Sequence, residues 1–307
     1  MSSIPRFGYA VLRTPLIPCR SGLAASRFYS TAAPLKAKRV LPSLSLDSKV
    51  CLVTGAARGL GYNFCRAFLQ SGCTELAIVD LKESEAQKAA AQLVRDACIL
   101  NSDMTPEDFN VISVGCDVSS EVAVQKAFDT VVDTFGQIDA VVASAGIVEN
   151  YSALDYPSDR MKLLYDINVH GAFFTAREAA RNMIPRGSGS IILVASMSAS
   201  IVNIPQLQTP YNASKAAVKH MAASLAVEWA KKGVRVNSLS PGYMQTKLTK
   251  TILAHNQELK KTWEGLTPMG RMGEPEDLSG AVVFLASDAS QFMTGTDMRV
   301  DGGYCLL

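Results

Sequence analysis

The stretch TPYNASKAAVK, residues 209–219, places a phenol and an ammonium group four residues apart. On a helix this spacing puts Tyr211 and Lys215 on one face, one turn from each other. A phenol has a pKa of about 10 and is a poor base near neutral pH unless nearby positive charge stabilises the phenolate. Tyr211 and Lys215 are therefore a candidate pair for moving a proton on or off an alcohol oxygen.

The spacing alone does not select this pair, because the chain contains a second one. Tyr243 and Lys247 have the same separation in YMQTK. At most one of the two pairs is expected to be catalytic, and a tyrosine and a lysine that merely share a helix face are the alternative for either.

A glycine-rich turn lies near the start of the regular part of the chain. The apolar run KVCLVT is followed by GAARGLG and then by a helical pattern. If a dinucleotide binds here, Gly55 adopts backbone angles closed to other residues, Gly59 leaves room for the pyrophosphate, and Gly61 lets the helix pack on the strand. The helix start then presents N–H groups to the phosphates. An ordinary tight turn is the alternative, but the position between strand and helix favours the dinucleotide.

Asp80 ends the next apolar run about 20 residues after the glycines, where a carboxylate can bind both ribose hydroxyls of the adenosine half. Its charge would repel a 2′-phosphate, which favours NAD as the cofactor. Arg58 in the glycine turn favours NADP, because its guanidinium could bind such a phosphate. We give Asp80 more weight, since an arginine can turn to solvent, and NADP stays open as the alternative.

Strand-like and helix-like segments alternate along the rest of the chain. Seven apolar runs are separated by segments of helix length: KVCLVT, ELAIVD, NVISVGCDV, DAVVASAG, SIILVAS, VRVNSLSPG and GTDMRVDGG. Apolar strands without polar alternation indicate a parallel sheet covered on both faces. We predict one α/β domain over residues 46–307, a Rossmann-type, doubly wound, mostly parallel seven-stranded sheet. A helix is expected over about 83–97 and a surface loop over 97–110.

Composition limits the possible partners. The chain has 307 residues, 48% of them hydrophobic, and no apolar run approaches the roughly 18 residues of a membrane span. Seven of the 30 basic residues lie in residues 1–46, which have no acids, so the body carries 23 bases against 28 acids. We therefore expect neither nucleic-acid binding nor membrane insertion.

The cysteines and histidines predict no metal site. The seven cysteines lack C-x-x-C spacing and fit free thiols in a reducing compartment. His170, His220 and His255 are isolated along the chain, so that they are expected to be structural or exposed.

Residues 1–45 have the composition of an organellar transit peptide: they are rich in arginine, serine and alanine and contain no acids. RFYS at 27–30 resembles a mitochondrial processing site, with cleavage near Tyr29. We predict import into the mitochondrial matrix. A basic tail on a cytoplasmic enzyme, or an incorrectly assigned gene start, is the alternative.

Several motifs, in order and at matching spacing, resemble those of the short-chain dehydrogenase/reductase family. The likeness covers about residues 47–307. The motifs are TGAARGLG (54–61), CDV (116–118), SAG (144–146), INVHGAFF (167–174), YNASK (211–215) and NSLSPGYMQT (237–246). One departure is ASAG where the family has NNAG, which puts in doubt the support that two asparagines give the central strands.

The resemblance implies which residues are catalytic. In the family a serine lies 13 residues before the tyrosine, which selects Tyr211 with Ser198 and rejects Tyr243, because residue 230 is an alanine. Ser196 and Ser200 remain alternatives if the intervening loop has changed length. The implied catalytic set is Ser198, Tyr211, Lys215 and Asn168.

The resemblance also implies the residues that bind the cofactor. Asp117 and Val118 would hold the adenine, and Thr246 the nicotinamide carboxamide. The full implied set is Gly55, Arg58, Gly59, Leu60, Gly61, Asp80, Asp117, Val118, Ala145, Gly146, Tyr211, Lys215, Pro241, Gly242 and Thr246.

A polyol is the expected substrate. The flap 241–270, the loop 199–210 and residues 147–157 should enclose it, and their polar side chains suit a ligand with several hydroxyls. These side chains are Glu149, Asn150, Asn203, Gln206, Gln208 and Gln245. Within the family the chain resembles fungal sugar-alcohol dehydrogenases, which implies oxidation of a polyol to a ketose and the reverse, with D-arabinitol and D-ribulose as the expected pair.

Three alternatives remain open at this point. They are an NADPH-dependent carbonyl or ketose reductase, a biosynthetic ketoreductase, and a non-catalytic NAD-binding module. The resemblance also implies a homotetramer or homodimer, with helices around 160–184 and 211–232 at one interface and the C-terminal strand and tail at another.

Overall fold

A computed structural model describes residues 40–254 and 256–306. The compact unit to which they belong runs over Val40–Leu307. Most of the predicted targeting segment, residues 1–39, lies outside the described residues, as does the predicted processing site. The last part of that segment is described and contains a short 3-10 turn, Pro42–Leu44.

The sheet has seven strands in the order β3-β2-β1-β4-β5-β6-β7, and every neighbouring pair is parallel. Each strand overlaps one of the seven predicted apolar runs, and only β5 begins one residue before its run. The predicted seven-stranded doubly wound fold is therefore confirmed. The strands are β1 (Val50–Thr54), β2 (Glu75–Asp80), β3 (Asn110–Gly115), β4 (Ala140–Ala143), β5 (Gly189–Val194), β6 (Val234–Pro241) and β7 (Asp297–Val300).

Nine helices are found among the described residues. They are α1 (Gly59–Gln70), α2 (Glu83–Leu100), α3 (Glu121–Phe135), α4 (Ser158–Tyr165), α5 (Gly171–Met183), α6 (Thr209–Trp229), α7 (Lys247–Ala254), α8 (Gln257–Gly265) and α9 (Ser279–Ala286). Within this part of the chain, each helix is too short or too polar to traverse a lipid bilayer.

The helices cover both faces of the sheet, and side chains alternate between two cores as the strand geometry requires. Val53 of β1 faces a core shared with α1, α2 and α9, whereas Leu52 faces one shared with α3, α5 and α6. Both side chains are fully buried. This two-sided burial explains why the strands appear in the sequence as uninterrupted apolar runs.

The structure differs from the expectation at two helices. Helix α2 continues to Leu100, so part of the expected loop 97–110 is helical, although Ile99 and Leu100 are exposed. A π-helical turn, Asp166–His170, separates α4 from α5 within one continuous helical segment. The chain order reverses between β1 and β4, and in open parallel sheets ligands bind at the carboxyl ends of the strands at such a switch point.

Candidate active site

The predicted catalytic side chains meet at the carboxyl edge of the central strands. Tyr211 lies in the first turn of α6 and Lys215 one turn further on. The serines follow β5 in a short 3-10 turn, Met197–Ala199. Asn168 lies in the π-helical turn and is buried. Three separate segments thus converge on one place, which a parallel sheet achieves by aligning its strand ends.

Lys215 is almost completely buried. Its Nζ donates a hydrogen bond to the Val194 carbonyl at 2.8 Å and lies 5.8 Å from the centre of the Tyr211 ring. Burial lowers the pKa of the Lys215 ammonium to about 8, because the charged form loses hydration. The Lys215 side chain is therefore fixed in position next to Tyr211, and its pKa lies close enough to neutrality for its charge to change near physiological pH.

Tyr211 experiences two opposing effects. Burial raises the pKa of its phenol, and a hydrogen bond with Ser196 lowers it; the net shift is upward. In the protein alone the phenol is therefore favoured in its neutral form, ready to donate a proton. The lowering expected from Lys215 does not dominate the Tyr211 pKa in this arrangement.

The structure favours one of the two alternative serines. Ser196 is the serine whose hydrogen bond lowers the pKa of the Tyr211 phenol. Ser196 lies 15 residues before Tyr211, two more than the 13 of the family spacing. Ser198 packs behind it, with the two hydroxyl oxygens 3.0 Å apart and the Ser198 N–H donating to Ser196 at 3.1 Å. Ser200 instead accepts from Lys219 at 2.7 Å.

Asn168 joins the segment after β4 to the catalytic helix. Its Oδ1 accepts from the Ile147 N–H at 2.8 Å, and its Nδ2 donates to the Ile147 carbonyl at 2.9 Å and to Ser214 Oγ at 3.1 Å. Ser214 Oγ donates in turn to the Tyr211 carbonyl at 2.7 Å. Asn168 is therefore tied to the catalytic helix through Ser214, and its place in the implied catalytic set stays a prediction.

The glycine turn forms a cradle whose shape a side chain would destroy. Gly55 has φ +64°, and a Cβ there would lie 2.7 Å from Ala145 Cα. A Cβ on Gly61 would collide with the Gly55 carbonyl, so α1 packs directly on the turn. Gly59 has φ +62° and faces open space. A close-packed turn with a free side toward the N-terminus of α1 fits the pyrophosphate of a dinucleotide.

Asp80 borders this cradle at the end of β2. Its Oδ2 accepts from the Ala57 N–H at 2.9 Å and its Oδ1 from the Leu81 N–H at 2.8 Å. Each carboxylate oxygen keeps a second lone pair that can accept from a ribose hydroxyl. Arg58 is exposed at the start of α1, with Leu60 half-buried behind it. The two residues that bear on the choice between NAD and NADP are thus beside the same turn.

The remaining predicted cofactor residues lie along the same edge. Asp117 and Val118 follow β3, with Asp117 exposed and Val118 buried against Gly171. Ala145 and Gly146 follow β4, and Pro241 and Gly242 end and follow β6. The Thr246 hydroxyl accepts from the Thr249 N–H at 3.3 Å at the start of α7.

Thr54 is a supporting residue that the sequence reasoning missed. Its buried hydroxyl oxygen lies 3.2 Å from the Ser144 nitrogen and 3.3 Å from the Ala145 nitrogen, and it accepts hydrogen bonds from both. It ties the end of β1 to the segment after β4, where the two family asparagines are absent. A polar residue at the end of a buried apolar strand was the only available signal.

Several residues predicted to bind a polyol are occupied by other side chains. Glu149 accepts from Arg160 Nε at 3.0 Å. Asn203, Gln206 and Gln208 take part in hydrogen bonds with neighbouring side chains. These partners could not be read from the sequence, and the binding of a polyol by this polar set stays a prediction.

A cavity of about 280 Å³ lies among the segments predicted to enclose the substrate. Asn150, Tyr151 and Ser152 line it from the segment after β4. The other lining residues are Pro205, Gln206, Leu207, Asn256 and Leu259. Asn150 and Gln206 are thus at a surface that a small polar molecule can reach.

Tyr243 and Lys247 do not form a site of the predicted catalytic kind. The Tyr243 hydroxyl accepts from Asn203 Nδ2 at 3.0 Å, and burial raises its pKa to about 12. Lys247 is exposed at the start of α7. These contacts agree with the rejection of this pair.

Metal ligands are not clustered in the part of the chain that the structure describes. His170 lies 3.0 Å from Asp166, His220 is exposed, and His255 lies outside the described residues. The described cysteines are all free thiols, and Cys19 belongs to the part that is not described.

Comparison with known proteins places the chain in a family. Residues 55–305 match a family model described as enoyl-(acyl carrier protein) reductase. A D-arabinitol 2-dehydrogenase (ribulose-forming) of Candida tropicalis is 38% identical over 86% of this chain and 95% of its own length. A sorbose reductase of Candida albicans is 38% identical over 89% and 93% of the two chains.

Solved structures agree. A gluconate 5-dehydrogenase from Burkholderia cenocepacia, in complex with NADP and tartrate, has a TM-score of 0.78 and 32% identity, over 86% of this chain and 98% of its own. With a short-chain type dehydrogenase/reductase from Mycobacterium marinum the TM-score is 0.75 at 36% identity, over 85% and 97% of the two chains. The chain therefore belongs to the short-chain dehydrogenase/reductase family and is an oxidoreductase of the alcohol dehydrogenase and ketoreductase type.

Proposed function

We propose that this protein oxidises a secondary alcohol of a polyol to a ketose with NAD and catalyses the reverse reduction, with D-arabinitol and D-ribulose as the first pair to test. The observation that carries the proposal is the contact of Ser196 with Tyr211 above a buried Lys215, beside a glycine cradle. The relatives named for arabinitol and sorbose support a sugar-alcohol substrate.

The proton chemistry follows from the three side chains. Tyr211 accepts the proton of the substrate hydroxyl during oxidation and returns it during reduction. Ser196 hydrogen-bonds the same substrate oxygen and fixes its position next to the phenol. Lys215 stabilises phenolate by its charge, and it remains largely protonated at neutral pH because its pKa is about 8. NAD held with its pyrophosphate at the cradle would supply the hydride acceptor and a further positive charge.

We infer a preference for NAD from Asp80. Its carboxylate is held at the cradle by the Ala57 and Leu81 N–H groups, so it cannot turn away from a 2′-phosphate. Like charges in a partly dry site repel strongly. Arg58 is exposed beside the turn and favours the second candidate, an NADPH-dependent ketose reductase. A solved relative that contains NADP shows that this second cofactor occurs among similar folds.

A polar substrate suits the cavity among the substrate-enclosing segments. Asn150, Tyr151, Ser152 and Asn256 provide hydroxyl and amide groups that can donate to or accept from a polyol chain. Leu207 and Leu259 line the same cavity and can cover its carbon skeleton. A site built to pair hydroxyls rejects ligands that lack them, because its polar groups would then be left without partners.

The experiment is a panel of pentitols, hexitols and the corresponding ketoses, each assayed with NAD(H) and NADP(H). We expect turnover of at least one polyol with NAD, with D-arabinitol among the best. The Tyr211→Phe variant should lose at least about 100-fold in kcat, since the phenol is the proton acceptor. Activity confined to lipophilic ketones with NADPH would refute the polyol proposal. No turnover of any alcohol or ketone with either cofactor would favour a non-catalytic binding module.

A further inference from the structure

Tyr243, the tyrosine without a catalytic role, lies at the centre of a buried group of side chains. Its ring stacks on Trp263 of α8, with centroids 4.0 Å apart and planes 7° from parallel. Tyr304 of the C-terminal tail packs edge-on against it at 5.3 Å. Trp263 and Tyr304 are both buried. The stack thus joins the beginning of the flap to helix α8 within it, and both to the C-terminal tail.

Hydrogen bonds connect the same stack to the loop before α6. Gln206 Oε1 accepts from the Trp263 indole N–H at 2.9 Å and from the Tyr243 hydroxyl at 3.1 Å, while its Nε2 donates to the Ile204 carbonyl at 3.0 Å. The Gln206 amide is oriented so that its oxygen, an acceptor, points toward the indole N–H of Trp263, a donor. The Tyr243 hydroxyl in turn accepts from Asn203 Nδ2 at 3.0 Å. The hydroxyl therefore uses both its proton and a lone pair.

The connection continues to the catalytic helix. Asn203 Oδ1 accepts from Gln208 Nε2 at 3.0 Å, and the same Nε2 lies 2.8 Å from Asn212 Oδ1. Asn212 is the residue after Tyr211. Asn203 and Gln208 are only 3% and 6% exposed, so these amides are shielded from water. Buried polar groups that are all paired hold one arrangement firmly, since breaking one bond leaves a buried group without a partner.

This set of side chains bridges two walls of the cavity described above. Gln206 and Leu207 line it from the loop, and Leu259 lines it from α8, the helix that carries Trp263. A bond between Gln206 and Trp263 therefore fixes the separation of the two walls. The Tyr243 pKa of about 12 keeps the hydroxyl protonated, and its donor available, throughout the range in which an enzyme is assayed.

We propose that Tyr243 is a positioning residue that sets the length of polyol the cavity accepts. It does so by holding the flap helix α8 against the loop before α6, through hydrogen bonds with Gln206 and Asn203 and the stack on Trp263. We call these four side chains the clasp. This inference rests on the proposed function for the identity of the substrate. The contact of the clasp with α8 does not depend on the proposed function, because that contact can be measured without any turnover.

The kinetic test is Tyr243→Phe, which keeps the ring stack and removes only the hydroxyl. We expect KM for the preferred polyol to rise about tenfold with kcat changed less than about threefold, as for loss of one buried hydrogen bond. The ratio of kcat/KM for pentitols to that for hexitols should fall toward one. Dissociation of NAD should be unchanged. Trp263→Phe, which removes the indole N–H and reduces the stacked ring area, should shift KM in the same direction.

Tyr62→Phe is the matched control. Tyr62 also has a pKa of about 12, and its hydroxyl donates to Asp96, which links α1 to α2. Its polyol KM and chain-length ratio should equal those of the wild type. An unchanged KM and ratio in Tyr243→Phe would overturn the proposal, as would loss of kcat alone, which would make Tyr243 catalytic.

A second measurement needs no substrate. The chain has two tryptophans, so the Trp229→Phe variant leaves Trp263 as its only indole fluorophore. We expect Tyr243→Phe in this background to shift the Trp263 emission to the red and to speed tryptic cleavage at Lys247, Lys250, Lys260 and Lys261 of the flap at least about threefold. Unchanged emission and cleavage would refute the clasp. If the wild type turned over no polyol, the proposed function would fail, and this measurement would still decide the clasp.

Discussion

At the scale of single residues, burial of the Lys215 ammonium lowers the stability of the fold but fixes a positive charge next to Tyr211. The residue is only 6% exposed, and its ammonium donates a hydrogen bond to the Val194 carbonyl. Holding a charge there is unfavourable, which is why its pKa falls to about 8 from the 10.5 of a free lysine. The same burial leaves the side chain with little freedom to leave Tyr211.

The lowered pKa predicts a specific pH dependence of stability. Below pH 8 both folded and unfolded lysine are charged, and the burial penalty is fully present. Between pH 8 and 10.5 the folded lysine loses its proton while the unfolded one keeps it, so folding becomes more favourable as pH rises. We expect the stability advantage of Lys215→Met over wild type to shrink by about 2 kcal/mol between pH 7 and pH 10.

Urea unfolding without cofactor at several pH values measures this difference. Groups such as Cys116, with a pKa of about 11, titrate equally in both proteins and cancel in the comparison. If the stability difference between Lys215→Met and the wild type stays constant from pH 7 to 10, the pKa of Lys215 is not lowered in the folded protein.

The serine assignment gives a second prediction at this scale. Ser196→Ala should lower kcat/KM about 100-fold, because it removes the hydroxyl next to Tyr211. Ser198→Ala should lower it by less than about tenfold, because Ser198 contacts Ser196 and stands one step from the phenol. Steady-state kinetics of the two variants side by side decide the matter, and the opposite order would restore the assignment by spacing.

At the scale of elements, the turn between β1 and α1 and the end of β2 determine the cofactor. The carboxylate of Asp80 is fixed by two N–H donors, so its charge acts from a set position. Asp80→Ala should lower the ratio of kcat/KM with NAD to that with NADP at least about tenfold, through lost ribose hydrogen bonds and removed repulsion. Asp103→Ala is the control: Asp103 is exposed in the loop after α2, and its substitution should leave the ratio of kcat/KM with NAD to that with NADP unchanged. An unchanged ratio in Asp80→Ala would assign discrimination to Arg58.

Elements with a local signature could be predicted from the sequence. The strands β1 to β7 were found because strands buried on both faces are apolar throughout, and the cradle because its glycines separate a strand from a helix. Features set by distant partners could not be. Asn203 and Gln208 looked like substrate ligands until their bonds to other segments were known. Ser196 lies two residues outside the 13-residue spacing, and only its hydrogen bond with Tyr211 distinguishes it from Ser198.

At the scale of the whole molecule, oligomer formation remains a prediction. Phe173 and Phe174 are half-buried on α5, and the Arg177 guanidinium lies 5.3 and 5.4 Å from their ring centres. We expect light scattering to give two or four times the mass of one chain and Phe174→Glu to reduce it. Ile99→Glu, at the exposed end of α2, is the control. A monomeric wild type would contradict the prediction.

The targeting prediction concerns the other part of the chain. Residues 1–45 contain basic residues and no acids, a composition typical of mitochondrial transit peptides. A fluorescent fusion of the full chain should accumulate in mitochondria, and one lacking residues 1–45 should remain in the cytoplasm. A cytoplasmic signal from both fusions would remove the mitochondrial assignment.

The π-helical turn Asp166–His170 makes the site depend on a single extra residue. A π turn accommodates one residue more than an α turn within an otherwise continuous helix. Each α-helical residue rotates the chain by about 100°, so deleting one residue here would turn Asn168 or the whole of α4 away from Ser214. Deletion of one codon would then give a chain that keeps the fold but no longer positions the Asn168 amide against Ser214.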